Sequence, residues 1–252
     1  MILEARGLAK SYGEFRALDG VSFAVAAGEF VSIIGPNGAG KSTLINVLTG
    51  VLAPSAGAVR FKERDVTGVG AVALARLGMA RSFQLVQIFP DLTVLETLQA
   101  AVVSRLGRGT RLWATLAGDR AVQAEAVETA ELFHLKDKRH ALARTLPQGD
   151  KKLLDVASAF ALRPEIILLD EPTSGVSTGD KHAIMEVLVA AARRVGLQAI
   201  IQVEHDMDIV FGYSHRIIAL HQGRVLADAT PEAIKANQVV VDTMIGRAHL
   251  HP

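Results

Sequence analysis

A glycine-rich stretch near the start of the chain carries the clearest chemical signal in the sequence. Its nine residues fit the pattern G-x-x-x-x-G-K-[ST], and they are Gly35, Pro36, Asn37, Gly38, Ala39, Gly40, Lys41, Ser42 and Thr43. Such glycines let successive backbone N–H groups point at one anion, while the lysine reaches the β- and γ-phosphates and the serine hydroxyl ligates Mg²⁺. Because a predicted strand (29–34) precedes the stretch and a predicted helix (43–48) follows it, we expect a phosphate-binding loop for a nucleoside triphosphate.

Two acidic residues follow the most apolar strand of the sequence. Asp170 and Glu171 come directly after the run Ile-Ile-Leu-Leu at 166–169, which is typical of a central parallel strand. The carboxyl ends of parallel strands meet at one crevice, so Asp170 is expected to hold Mg²⁺ opposite Ser42. Glu171 points elsewhere and is expected to polarise a water as the general base.

Three further residues stand at the ends of predicted strands. Gln84 and His205 each follow an apolar strand, so both could reach the same crevice, the first toward Mg²⁺ and a water, the second toward the γ-phosphate. Tyr12 ends the first strand, where it either stacks on an adenine base or is a half-buried tyrosine. Its position alone does not decide between these two roles.

Composition limits the remaining possibilities. The chain has 252 residues, 50% of them hydrophobic, a formal net charge of +1 and no cysteine. Disulfides and thiolate metal sites are therefore excluded, and the overall charge gives no reason to expect a nucleic-acid partner. No apolar run approaches the roughly 18–20 residues that cross a bilayer, and the first residues lack a signal pattern. If the protein works at a membrane, we expect another chain to hold it there.

Predicted strands alternate with predicted helices, which indicates an α/β protein with a parallel core. Residues 86–160 are mostly helical in pattern and look like an insertion into that core. Inside this block, Thr93 with Glu96 three residues later predicts a capped helix start, and 121–135 predicts a second helix. The glycine- and arginine-rich residues 107–113 favour a solvated loop with one packed aromatic, and the alternative is a segment that touches a membrane surface or a partner.

Other local patterns predict strands at 3–8 and 21–25, a helix at 182–194 and a terminal hairpin turning at Gln222-Gly223.

Together these motifs resemble the ATP-binding subunit of an ABC transporter over essentially the whole chain. GPNGAGKST matches the phosphate loop, IILLDEP the Mg²⁺ strand and VEHD the histidine switch, while Gln84 falls at the Q-loop. The resemblance also favours adenine stacking for Tyr12. It implies one ABC ATPase domain over 1–252, with a P-loop NTPase (RecA-like) core, an N-terminal antiparallel β-subdomain and an inserted α-helical subdomain. The nucleotide-binding α/β core with its β-subdomain is expected at 1–85 and 161–252, and the helical subdomain at 86–160.

Within that family, residues 81–84, 92–96 and 221–227 look like importers of the branched-chain-amino-acid type. This likeness implies a subunit that hydrolyses ATP at the cytoplasmic face of the inner membrane. It would bind membrane permease subunits and a second ATPase subunit, identical or different, but no nucleic acid. Two alternatives are a soluble ABC ATPase acting in translation or in assembly of a protein machine, and the ATPase of a lipid-export system.

The resemblance places the family's LSGGQ-like signature at residues 146–150, where this chain reads Leu-Pro-Gln-Gly-Asp. Gly149 is expected to approach the nucleotide of a partner subunit. The serine that bonds that nucleotide's γ-phosphate is replaced by Pro147, which offers neither a hydroxyl nor a backbone N–H. We therefore expect the physiological partner to be a different ATPase subunit with an intact signature.

Asp150, the last residue of this stretch, would suit the helix dipole but would stand near the incoming phosphate, and Lys151 and Lys152 are expected to offset its charge. A second departure lies further along the chain. Ser177 stands where the family often has the aspartate of the D-loop.

Overall fold

The computed structural model describes residues 1–82, 89–107 and 119–244. Gln84 and most of the predicted loop at 107–113 lie outside these ranges. The backbone divides into two compact units, the first formed by residues 1–74 and 198–252 and the second by residues 75–197.

The first unit contains an antiparallel sheet made by the start of the chain. Its strands are β1 (Leu3–Tyr12), β2 (Phe15–Val25), β4 (Ala56–Phe61) and β5 (Arg64–Asp65), in the order β2-β1-β4-β5. The antiparallel β-subdomain is thereby confirmed, although β1 and β2 are longer than the predicted 3–8 and 21–25. The ladder between them shifts register between Ala5 and Leu8 and again beyond Leu8, which hides the alternation expected of a strand.

A second, mainly parallel arrangement of strands completes the first unit. It comprises β3 (Phe30–Ile34), β8 (Ala199–Val203), β9 (Arg216–His221) and β10 (Arg224–Ala229), in the order β10-β9-β3-β8. β3 pairs in parallel with both β8 and β9, and every residue of β3 and β8 is buried. The helices of this unit are α1 (Lys41–Leu48), α7 (Met207–Tyr213), α8 (Pro231–Ala236) and α9 (Gln238–Met244).

The predicted hairpin between β9 and β10 is confirmed. Gln222 has φ 48° and Gly223 has φ 75°, so both central residues of the two-residue turn are left-handed. Positive φ at both positions is what a tight antiparallel hairpin favours, because its twist then matches that of the strands.

The second unit contains several helices and a pair of parallel strands. α2 (Ala71–Arg76) leads into it, and β6 (Met79–Arg81) pairs in parallel with β7 (Ile166–Asp170). Its helices are α3 (Val94–Arg105), α4 (Arg120–Leu132), α5 (Gln148–Phe160) and α6 (Thr178–Val195), with 3-10 turns at Lys136–Lys138 and Ala143–Thr145. Across the described ranges, no helix is long and apolar enough to cross a membrane.

The start of α3 confirms the predicted cap. The Thr93 hydroxyl accepts from Glu96 N at 3.2 Å, and the Glu96 carboxylate accepts from Thr93 N at 2.8 Å. These reciprocal bonds satisfy two backbone donors of the first turn. The hydrogen bond from the Thr93 backbone, followed by that from its hydroxyl, lowers the pKa of Glu96.

Several helix boundaries differ from the prediction, among them the start of α1, which is Lys41 rather than residue 43. α4 ends at Leu132 rather than Leu135, because His134 adopts φ 57° and the N–H of Leu135 turns back to Ala130 O at 2.7 Å. α6 begins at Thr178 rather than His182, since Ser177 caps it by accepting from Asp180 N.

Candidate functional site

The predicted phosphate loop joins the end of β3 to the start of α1 in the first unit. α1 begins at Lys41, and its N-cap is Gly40, whose φ of 101° is accessible to glycine but strained for other residues. No hydrogen bond from a side chain caps this helix start. A helix start of this kind presents backbone N–H groups and partial positive charge, which are the features that bind an anion.

Lys41 lies across the loop. The residue is only 7% exposed, and Nζ donates to Gly35 O at 2.6 Å and to Pro36 O at 3.0 Å. Ser42, directly after it, is exposed at the first turn of α1. The nine predicted loop residues thus form the connection after β3 and the first residues of α1, and the Lys41 ammonium bonds to carbonyls at the start of that connection.

Gly223 is a loop-supporting residue that the sequence analysis missed. Its N–H donates to Ala39 O at 3.0 Å, and its carbonyl accepts from Asp19 N at 2.8 Å. A Cβ at Gly223 would lie 2.8 Å from Ala17 O, so only glycine fits without a shift. The β9–β10 turn therefore ties β2 to the phosphate loop. The sequence predicts the turn itself. Ala39, which accepts the hydrogen bond from Gly223, lies 184 positions away, so no local pattern could predict this contact.

Tyr12 and His205 also belong to the first unit. Tyr12 ends β1, is 49% exposed and has the Lys10 ammonium 5.5 Å from its ring centroid. His205 follows β8 and is exposed, while its backbone N–H donates to the buried Glu204 carboxylate at 2.9 Å.

In the second unit, Asp170 is the last residue of β7, and its carboxylate accepts a hydrogen bond from Arg81 Nη2 at 2.7 Å. The Asp170 side chain is 28% exposed, so a cation can reach it. A carboxylate oxygen is a donor that Mg²⁺ prefers, and Asp170 supplies one in this unit. The exposed Ser42 supplies a hydroxyl oxygen in the first unit, so each residue by itself offers a donor that fits the metal.

Glu171 has an unusual backbone. Its φ is 50°, a left-handed conformation that is uncommon for a side chain of this size. Its carbonyl accepts from Ser174 N at 3.2 Å, which closes a turn with Pro172 at the second position. The same carbonyl also accepts from Lys152 Nζ at 3.1 Å.

The stretch that resembles the signature begins α5. Pro147 is the N-cap of that helix with φ −56° and ψ 156°, and no side chain caps the first turn. Gly149 lies in that turn, where an added Cβ would come no closer than 3.9 Å to Ile184. The expectation for Asp150 is wrong in part, because Lys138 forms its ion pair, whereas Lys152 bonds to Glu171 O and to Ser174 Oγ.

The sequence and this geometry were compared with known proteins. A family model described as "ABC transporter" matches residues 18–174, more than half of the chain. The chain belongs to the ABC transporter family. The high-affinity branched-chain amino acid transport ATP-binding protein LivG of Salmonella typhimurium is 37% identical over 253 residues, covering 98% of each chain. The corresponding probable LivG protein of Methanocaldococcus jannaschii is 33% identical over 97% of each chain.

Solved structures of the same family share the fold. A nucleotide-free ATP-binding cassette from an ABC transporter matches with a TM-score of 0.86 and 32% identity, covering 98% of this chain and 99% of that one. An ATP-binding cassette in its ADP conformation matches equally well, with the same TM-score and identity. The predicted fold class is thus confirmed, and the family match agrees with the phosphate loop between β3 and α1.

Proposed function

We propose that this chain is the ATP-binding, ATP-hydrolysing subunit of an ABC importer for branched-chain amino acids or related small polar solutes. The observation that carries the proposal is the likeness, over 98% of both chains, to a branched-chain amino acid transport ATP-binding protein. The phosphate loop at the start of α1 supports it, because uncapped amides and a lysine form an anion-binding turn.

The proposed roles in the reaction follow from the chemistry of each residue. The loop 35–43 binds the phosphates, with Lys41 as the cation that neutralises charge on the transferred group, and Tyr12 stacks on the adenine. Glu171 takes a proton from the attacking water as general base, and His205 donates a hydrogen bond to the γ-phosphate.

We also propose that Ser42, Gln84 and Asp170 ligate Mg²⁺. When bound, Mg²⁺ neutralises charge on the phosphate oxygens. Gln84 lies outside the described residues, so its place in this set rests on its match to the Q-loop. Asp170 already accepts from Arg81, and Mg²⁺ has to compete with that guanidinium for the carboxylate.

The proposed partners are membrane permease subunits and a second, different ATPase subunit. The helical subdomain expected at 86–160 would contact the permease, and the core expected at 1–85 and 161–252 would bind nucleotide. The permease would hold the protein at the cytoplasmic face of the inner membrane. The second ATPase is proposed to differ because Pro147 cannot replace the signature serine, whereas the phosphate loop of this chain keeps every expected residue. Gly149 would still approach the partner's nucleotide.

The experiment uses a tagged Glu171→Gln variant, which should bind ATP without hydrolysing it. The variant is purified from gently solubilised native membranes with ATP and Mg²⁺, and its companions are identified by mass spectrometry. Two permease subunits and a second, distinct ATPase are the expected result. Ribosomal or lipid-export components in their place would contradict the import function.

The effect of Pro147 in place of the signature serine can be tested in the reconstituted transporter. Pro147→Ser restores a hydroxyl and a backbone N–H, and one hydrogen bond to a charged group is worth roughly 1.5–3 kcal/mol. Turnover at the site that faces this signature should therefore rise by about 10- to 150-fold if the bond acts in the transition state. An unchanged rate would show that Pro147 does not limit hydrolysis.

A further inference from the structure

Lys152 makes two hydrogen bonds that charge compensation at Asp150 does not explain. Its half-buried side chain leaves α5, and Nζ donates to Ser174 Oγ at 2.9 Å and to Glu171 O at 3.1 Å. Asp150, the carboxylate nearest in sequence, pairs instead with Lys138. The ammonium is thus directed at the turn that follows β7.

That turn has a strained conformation at its first residue. Glu171 has φ 50°, which is unfavourable for a residue with a Cβ, and Pro172 follows it. Such a backbone persists only where surrounding contacts hold it. The Glu171 carbonyl accepts hydrogen bonds from Ser174 N and from Lys152 Nζ.

The direction of the Glu171 side chain depends on this backbone. Rotation of the Glu171 peptide out of the left-handed region would swing the Cα–Cβ bond, and the carboxylate with it. A general base has to lie within hydrogen-bonding reach of its water, and a displacement of about 1 Å can cost up to about 100-fold in rate. A charged donor that fixes the carbonyl therefore fixes the base as well.

We propose that Lys152 is a positioning residue for ATP hydrolysis: it holds the Glu171–Ser174 turn so that the Glu171 carboxylate meets the attacking water. This inference rests on the proposed function, in which Glu171 is the general base. Lys152 does not touch the nucleotide in this role; it acts through Glu171 and through Ser174 Oγ.

The test measures ATP hydrolysis and nucleotide binding by the reconstituted transporter. Lys152→Ala should lower kcat about tenfold, since a hydrogen bond from a charged donor is lost, while the Kd for ATP stays within about twofold. Lys152→Arg keeps a cationic donor and should recover most of the rate. Ser174→Ala removes one of the two acceptors and should lower kcat about threefold. Lys136→Ala is the matched control, because its ammonium pairs with Glu131 at 2.7 Å on an exposed surface.

A double variant separates positioning from general damage. If Lys152 acts through Glu171, adding Lys152→Ala to Glu171→Gln should not lower the residual rate further. A further loss equal to that seen in the single Lys152→Ala variant would overturn the inference, as would a Lys152→Ala kcat equal to that of the wild type.

The same variants distinguish the general-base role of Glu171 from the positioning role of Lys152. Hydrolysis by Glu171→Gln at the wild-type rate would overturn the role of Glu171 in the proposed function. Loss of hydrolysis in Glu171→Gln with a normal rate in both Lys152→Ala and Ser174→Ala would overturn the positioning role alone. If Lys152→Ala does not fold, Ser174→Ala together with Lys152→Arg decides the question.

Discussion

Replacing Gly223 by alanine is expected to weaken ATP binding, although Gly223 lies in a turn remote in sequence from the phosphate loop. An alanine Cβ would lie 2.8 Å from Ala17 O and 3.2 Å from Leu18 Cα. Both are backbone atoms, so they cannot rotate aside as a side chain would, and the turn itself must move. Its movement lengthens the 3.0 Å hydrogen bond from Gly223 N to Ala39 O inside the loop.

The Gly223→Ala substitution has two separate energetic effects, one on the stability of the fold and one on the phosphate loop. The φ of 75° at Gly223 costs an alanine about 1–2 kcal/mol, which lowers the stability of the fold. The hydrogen bond to Ala39 contributes about 0.5–1.5 kcal/mol net, and only this part acts on the loop. If all of it is lost from the binding-competent loop, the Kd for ATP rises by about 2- to 10-fold.

Gly20→Ala is the matched control for the first part. Gly20 has a similar φ of 77°, but an added Cβ there would meet nothing within 4 Å. It should therefore reduce stability by about 1–2 kcal/mol and leave ATP binding unchanged. Both variants are titrated with a fluorescent ATP analogue well below their melting temperatures. Equal Kd values for the two variants would refute the claim that the β9–β10 turn supports the loop.

Three further predictions concern the second unit. Because Thr93 lowers the pKa of Glu96, the folded pKa lies below the ordinary value of 4.5, so the stabilisation is present above that pH and is lost as the pH falls through the folded pKa. The stability difference between the wild type and Glu96→Gln should shrink below pH 4.5 in denaturant titrations, and a constant difference would contradict it. Phe133→Ala should cost about 3–5 kcal/mol, since the ring is fully buried and packs edge to face on another phenylalanine; a loss below 1 kcal/mol would contradict this packing role. If Asp170 ligates Mg²⁺ as proposed, Arg81→Gln removes a guanidinium that competes with the metal for this carboxylate, so the Mg²⁺ concentration for half-maximal hydrolysis should fall by about threefold; a higher requirement would argue against competition.

Local patterns in the sequence predicted much of what lies close in the chain. The cap of α3 joins residues three apart, and the Gln222-Gly223 turn needs only its two central residues. The phosphate loop is likewise continuous, so its nine residues could be assigned before the structure was known. In each case the interacting groups are near neighbours, and the required residue types are therefore visible as a short pattern.

Contacts between distant segments were not predictable in this way. Lys152 was expected to offset the charge of Asp150, two residues away, but it donates a hydrogen bond to the carbonyl of Glu171, 19 residues away. Gly223 looked like a simple turn residue, since nothing near it in sequence points to Ala39. The predicted end of α4 was wrong for a different reason. Phe133 and Leu135 are buried although they lie beyond the helix, so the apolar pattern continues past the residue where the helix ends.

The left-handed backbone at Glu171 implies a trade-off between activity and robustness. Asparagine and glycine tolerate φ 50° better than glutamate does, so Glu171→Asn or Glu171→Gly should relax the turn while removing the carboxylate. Inactive variants at this position would then melt at higher temperatures than the active protein, even without nucleotide. Natural selection for turnover would retain glutamate here at the expense of thermal stability, whereas selection for stability alone would discard it.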